Sequence, residues 1–216
     1  MALRNILTEE NPALRKVCRP YTAFDERLHQ LLDDMKETLS QANGVGLAAP
    51  QVGVLRRAVI VLETNVPDEK DEYMIELINP VITMREGEQC GREGCLSLPG
   101  RQAVVTRPRK VTVQYQNRDG VHCEKTVEGL FARAVCHELD HLDGKLYIDV
   151  MDRELTPEEI EAALNNKVAE GMINISANTA PIFEDGASEG NLMLVNESIN
   201  NYPQKVQIIR NDTGEQ

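Results

Sequence analysis

Apolar residues recur along this chain with two different periods, and the changes between them mark out its elements. Leu28, Leu31, Leu32, Met35 and Leu39 step by three and four, the spacing of one face of an α-helix. Asp25 ahead of them offers a side-chain oxygen to the first free amides, and Asn43-Gly44 supplies a stop, so a helix is predicted between these markers. His29 falls on the polar side of the stripe and is expected at the surface. Before this helix, Asn11 to Pro20 carries prolines and short basic pairs and reads as loop or extended chain. Beyond it the pattern turns strand-like over residues 58–62, 74–84 with an interruption at Asn79-Pro80, 102–106 and 110–115. Val111, Val113 and Tyr115 alternate with Thr112 and Gln114, as a half-buried antiparallel strand does. The turn Asn117-Arg118-Asp119-Gly120 then leads to a partner strand over 121–127.

Helical spacing returns at Leu130. Leu130, Ala134, Leu139 and Leu142 are apolar on more than one side, which predicts a central helix, ended by Gly144. A last helix is announced by Thr156-Pro157-Glu158-Glu159: Thr156 caps, Pro157 takes the first turn and Glu159 closes a capping box, with Leu155 and Ile160 as staple. It is expected to reach about Ala169. From Gly171 onward Asn, Ser, Gly and acids dominate, and residues 171–216 read either as a disordered acidic extension or as one holding a short hairpin of 192–195 with 206–209.

Composition narrows the class. A chain of 216 residues, 41% apolar, buries a full core and forms one domain plus an appendage, here taken as 1–170 and 171–216. No apolar run is long enough to span a membrane, and no charged-then-apolar leader follows Met1, so a cytoplasmic protein with no membrane partner is expected. Five cysteines without tight spacing read as core residues or metal ligands of a reducing compartment. The net charge of −12 is uneven: residues 152–216 hold 12 acids and 4 bases, leaving −4 for the rest. Neither part suggests a basic face for sequence-specific nucleic acid. The cluster 68–72 is a charged loop tip with no chemistry attached.

The candidate chemistry sits in Cys136-His137-Glu138-Leu139-Asp140-His141. Histidines four apart share a helix face and can reach one metal ion, while Glu138, beside the first, is placed next to the metal rather than on it. That arrangement gives two ligands and a general base on one turn. The bland alternative is a charged helix face with two solvated histidines. A catalytic centre needs a third protein ligand, and downstream only Asp143 and Asp149 lie at short range. The better candidate is upstream: Cys95, in Glu93-Gly94-Cys95-Leu96-Ser97-Leu98-Pro99-Gly100, a stretch suited to exposing a side chain and a backbone N–H. The segment Gly44-Val45-Gly46-Leu47-Ala48-Ala49-Pro50-Gln51 loosely fits a dinucleotide fingerprint, but a helix precedes it and Pro50 blocks the far end. It reads instead as backbone turning closely beside a ligand and delivering Gln51.

Taken in this order, Gly44 to Gln51, Glu93 to Ser97 and His137 to His141 resemble the three motifs of the peptide deformylase family, over about residues 1–165. The resemblance implies an α+β fold, antiparallel sheets packed around a central helix bearing the H-E-x-x-H motif. It implies removal of the N-formyl group from the initiator methionine of nascent polypeptides, with the ribosome as a candidate partner. Cys95, His137 and His141 would then hold one divalent metal, Fe(II) natively and Zn(II) or Ni(II) in many preparations. Glu138 would shuttle the proton, and the Gln51 amide and Leu96 backbone N–H would stabilise the oxyanion. Val45, Gly46, Leu130 and Ala134 would contact substrate around the methionine pocket; Arg133, which departs from the family pattern, is instead expected to bind the backbone of the substrate peptide. Three residues depart from the family pattern: Cys136 stands where many members place Gln and is read as packing, and Gly91 and Arg133 replace apolar pocket residues of some relatives. Two other readings remain open on the residues alone. One is a zinc peptidase cutting internal bonds and indifferent to Cys95; the other is a closed structural metal site, with Cys90 or Cys136 as fourth ligand, on a partner-binding module.

Overall fold

The computed structural model describes residues 2–42, 44–63 and 74–169. Asn43 of the expected helix stop, the charged tip 68–72, and both alternatives for 171–216 lie outside the described residues. In chain order the elements are α1 (Glu26–Ala42), β1 (Gly46–Ala48), β2 (Ala58–Leu62), β3 (Met74–Glu86), β4 (Gln89–Cys95) and β5 (Leu98–Arg107). They continue with β6 (Lys110–Gln116), β7 (His122–Glu128), α2 (Gly129–Leu142), β8 (Arg153–Glu154) and α3 (Pro157–Ala169). The strands pair antiparallel into a five-stranded sheet, order β1-β2-β3-β6-β7, and a three-stranded sheet, order β4-β5-β8.

The larger sheet is covered on both faces, which explains why β2 reads as the unbroken apolar run Ala-Val-Ile-Val-Leu. Val59 and Val61 join Phe131, Val135 and Leu139 of α2, while Ala58 and Ile60 join the α1 stripe of Leu28, Leu31, Leu32, Met35 and Leu39. A third cluster around Leu14, Leu98, Ala103, Val105 and Tyr147 sits on the smaller sheet and includes Cys95. The antiparallel α+β architecture is the one the family resemblance implies, and α2 is the central helix expected from its apolar pattern. Eleven of the 14 residues of α2 are buried, including Arg133, His137, Glu138 and His141. A helix buried nearly all round carries its polar side chains into the interior, where each needs a partner.

Locally the fold departs from the sequence pattern at several points. Residues 46–48, expected to turn, form a strand against β2. The Asn79-Pro80 interruption does not end β3. It is a bulge: Asn79 takes a φ of +52° and the register to β6 shifts between Ile78 and Val81. The Asn79 carboxamide accepts from Tyr21 N (2.8 Å) and donates to Tyr21 O and Gln116 Oε1 (both 2.9 Å). A bulge lets Pro80, which has no N–H to give, sit inside a strand. β4 was not anticipated, since Gln-Cys-Gly-Arg-Glu-Gly-Cys has neither the composition nor the alternation of a strand; pairing to β5 imposes it. His29 is half-buried rather than at the surface, its Nε2 lying 2.9 Å from the Arg118 carbonyl. Helix termini follow the predicted chemistry. Asp25 Oδ1 accepts from Leu28 N (3.2 Å), and Thr156 and Glu159 exchange side-chain-to-backbone bonds of 3.3 and 2.9 Å.

Candidate metal centre

β4 ends at Cys95, which pairs with Leu98 across the two-residue turn Leu96-Ser97. The stretch expected to expose a side chain is thus a tight hairpin, and Cys95 is turned inward, 1% exposed. Its Sγ meets α2. The ligating atoms of Cys95, His137 and His141 all lie within 4.8 Å of one another, and Sγ is 3.3 Å from His141 Nε2. With metal bonds of about 2.0–2.3 Å, tetrahedral neighbours stand about 3.3–3.8 Å apart, so one thiolate and two imidazoles gathered this closely suit a single divalent ion. Among the described residues this is the only such group. Cys90 is exposed, and Cys136 lines a cleft of about 260 Å³ with Arg57, Arg107 and Asp140, so neither joins the three. Burial pushes the Cys136 thiol up to about 11. Asp143 and Asp149, the downstream candidates, are paired with Arg57 (2.6 Å) and Arg15.

His137 Nδ1 is 3.0 Å from Glu93 Oε2, which leaves Nε2 as its ligating nitrogen. Burial would depress His137, yet its contacts with Cys95 and Glu93 hold it well above the usual histidine value. His141 goes the other way: burial, then the positive charge of His137 and Arg107, keeps it well below the ordinary range and neutral, as a ligand must be. Burial raises the Glu93 carboxyl, but hydrogen bonds from His137 and Arg107 outweigh it and hold Glu93 well below the carboxylate range.

Glu138 is 3% exposed, and burial pushes its carboxyl up to about 7. Its Oε2 is buried without a hydrogen-bond partner. The side chain lies against Gly46, where a Cβ would stand 2.4 Å from Oε1. Gln51 sits in the 3₁₀ turn Ala49–Val52. Its Oε1 accepts from Ala48 N at 2.8 Å, which fixes the amide so that Nε2 donates to Ser97 Oγ (3.1 Å) and points at Cys95 Sγ (3.5 Å). Val45 and Ala134 are buried in the cluster between sheet and α2, Leu96 is buried on the α1 side, and Leu130 is half-buried at the start of α2.

Arg133, expected to touch substrate, is 5% exposed and has other partners. Its Nη1 donates to Glu93 Oε1 (2.9 Å) and Val105 O (3.0 Å). Glu93, Arg107 and Ser97 were given no role from sequence. Glu93 had a signal, because two residues before Cys95 on a strand means the same face. Arg107 had none: its bidentate 2.9 Å pair with Glu93 depends on the β4–β5 register.

A family model described as polypeptide deformylase matches residues 3–156. A peptide deformylase of Caldicellulosiruptor bescii is 52% identical over 161 residues, covering 74% of this chain and 93% of that one. The crystal structure of peptide deformylase from Thermotoga maritima superposes with a TM-score of 0.66 at 37% identity, covering 70% of this chain and 99% of that one. A Met-Ala-Ser-bound class I type b peptide deformylase from Acinetobacter baumannii gives 0.65 at 31% identity, covering 69% and 99%.

Proposed function

The chain belongs to the peptide deformylase family, and we propose that the pocket of Cys95, His137 and His141 is where it hydrolyses the N-formyl group of newly made polypeptides, releasing formate. An ion held by Cys95, His137 and His141 would supply a Lewis acid, able to polarise the formyl carbonyl and make water more acidic. Glu138 accepts the proton of the attacking water and later returns it to the nitrogen, so the C–N bond breaks to formate and a free amine. The Gln51 Nε2 and the Leu96 N–H donate to the oxyanion as it develops. Val45, Gly46, Leu130 and Ala134 flank the methionine side chain. Arg133 is assigned to Glu93 rather than to the peptide.

The observation that carries this reading is the buried, unpartnered Oε2 of Glu138, on the same helical turn as two histidines whose nitrogens converge with a thiol. A carboxylate left with an open acceptor beside a metal-binding cluster is placed to receive a proton from water. A thiolate with two neutral imidazoles leaves a divalent site at net +1, and this softer donor set accommodates Fe(II), Zn(II) and Ni(II). We assign Fe(II) as the native ion. Nascent formyl-methionyl chains, met in the cytoplasm as they leave the ribosome, are the assigned substrates; among the described residues no helix is long and apolar enough to cross a membrane.

The test is formate release from formyl-Met-Ala-Ser by anaerobically purified protein, with metal content measured on the same sample. Turnover in proportion to metal is expected, and a ferrous preparation should lose activity in air faster than a nickel one. Cleavage of internal peptide bonds, or activity indifferent to Cys95→Ala, would favour the zinc-peptidase reading instead.

A further inference from the structure

Arg133 and Gly91 depart together from the pattern the sequence resembles, and the fold brings them into contact. A Cβ at residue 91 would stand 2.9 Å from Arg133 Nη2. The missing side chain on β4 is the space the guanidinium occupies. From there Nη1 donates to Glu93 Oε1 (2.9 Å), Val105 O (3.0 Å) and Gly91 O (3.4 Å), and Nη2 donates to Gln89 O (3.3 Å). One side chain from α2 therefore ties down the main chain of both β4 and β5.

Glu93, which Arg133 grips, is the residue that orients His137. Its Oε2 faces His137 Nδ1 and accepts from Arg107 Nη2, while Oε1 accepts from Arg107 Nε and Arg133 Nη1. Arg107 also reaches Asp140 at 2.5 Å. Two carboxylates and two guanidinia, Arg133 and Asp140 from α2 and Glu93 and Arg107 from β4 and β5, thus balance to zero where the ligand helix meets the small sheet. With Arg133 absent, the group would carry an uncompensated negative charge, and Glu93 could pivot about its remaining pair to Arg107.

We infer that Gly91 and Arg133 act as one unit, a glycine-made socket and the guanidinium it admits, that positions Glu93 and through it the metal-ligating ring of His137. Arg133 is in this sense a positioning residue for the metal, and the inference rests on the reading of Cys95, His137 and His141 as ligands. It predicts that Arg133→Met weakens Zn(II) binding, measured by chelator competition, about 10- to 100-fold, the usual cost of losing a group that orients a ligand. Arg133→Lys should recover part of that loss. At saturating metal the KM for formyl-Met-Ala-Ser should be unchanged, and the Co(II) absorption bands should shift.

Gly91→Val supplies the second arm, since it displaces the guanidinium while leaving its charge in the chain. It should weaken Zn(II) binding in the wild-type background and add nothing in the Arg133→Met background, because the two changes remove the same interaction. A raised KM with unaltered Zn(II) affinity would overturn the inference in favour of a substrate contact. A lowered Tm with unaltered Zn(II) affinity would reduce Arg133 to a structural tie. Additive effects of the two substitutions would break the claim that they form one unit. A wild-type chain that bound no Zn(II) would overturn the metal reading and this inference together, whereas tight wild-type binding with unaffected variants would overturn this inference alone.

Discussion

Glu138 is a carboxyl group held where its charge is hardest to keep, since burial leads the causes that push it up to about 7. That value suits a group that must take a proton and give it back near neutrality. Glu138→Ala should retain its metal and lose about 10²- to 10⁴-fold in kcat, as formate-release assays beside metal analysis would show. Its placement depends on Gly46, because the Cγ, Cδ and Oε1 of Glu138 occupy the volume a Cβ there would need. Gly46→Ala is expected to keep the fold and the metal but to displace the carboxylate, and displacements of about 1 Å can cost roughly 10²-fold in rate. Circular dichroism and metal content unchanged beside a lowered kcat would bear this out; full activity would separate the glycine from the base. In the sequence Gly46 was legible only as close-turning backbone and as a residue of the substrate pocket. What it approaches is a helix far along the chain, and no local pattern carries that information.

Between elements, the Arg118 guanidinium of the β6–β7 turn reaches Asp33 on α1 (2.7 Å) and Glu76 on β3 (2.5 Å), and Lys36 reaches Glu76 at 2.9 Å. Burial alone would raise the Glu76 carboxyl, but hydrogen bonds from Arg118 and Lys36 prevail and it is lowered overall. A carboxylate whose folded value lies below its unfolded one contributes fully above the unfolded value, and that contribution is lost as pH falls through the folded value. Glu76→Gln should therefore flatten the acid side of the stability-against-pH curve below about pH 4.5, the ordinary value for this group, in urea titrations. At this scale the helices were the legible part. Leu28 to Leu39 repeat with the helical period, and Asp25 and Thr156 cap as their chemistry dictates. β4 was not, because its pairing with β5 rather than its composition makes it a strand.

For the whole molecule, the family match ends at residue 156 and the relative from Caldicellulosiruptor bescii covers 74% of the chain. Truncation after residue 170 should accordingly leave formate release and metal content close to those of the full chain. Loss of cooperative unfolding in the truncated form would instead make the acidic extension part of the core. The larger sheet, covered by α1 on one face and α2 on the other, holds the ligand helix in a fixed pose, and the small sheet brings the thiol to it.

The sequence by itself determined what is local. Histidines four residues apart on a helix share a face whatever surrounds them, so His137, Glu138 and His141 were placed by backbone geometry alone. The motif order also named Cys95 as the third ligand, but the contacts that cross the chain were decided by the tertiary structure. It brought Cys95 Sγ to within 3.3 Å of His141 across 46 residues, buried that thiol instead of exposing it, and closed Glu93, Arg107, Arg133 and Asp140 into a neutral cluster behind the ligands. Such contacts follow from strand register and from which faces pack, and those are properties of the assembled sheets that no single stretch of residues encodes.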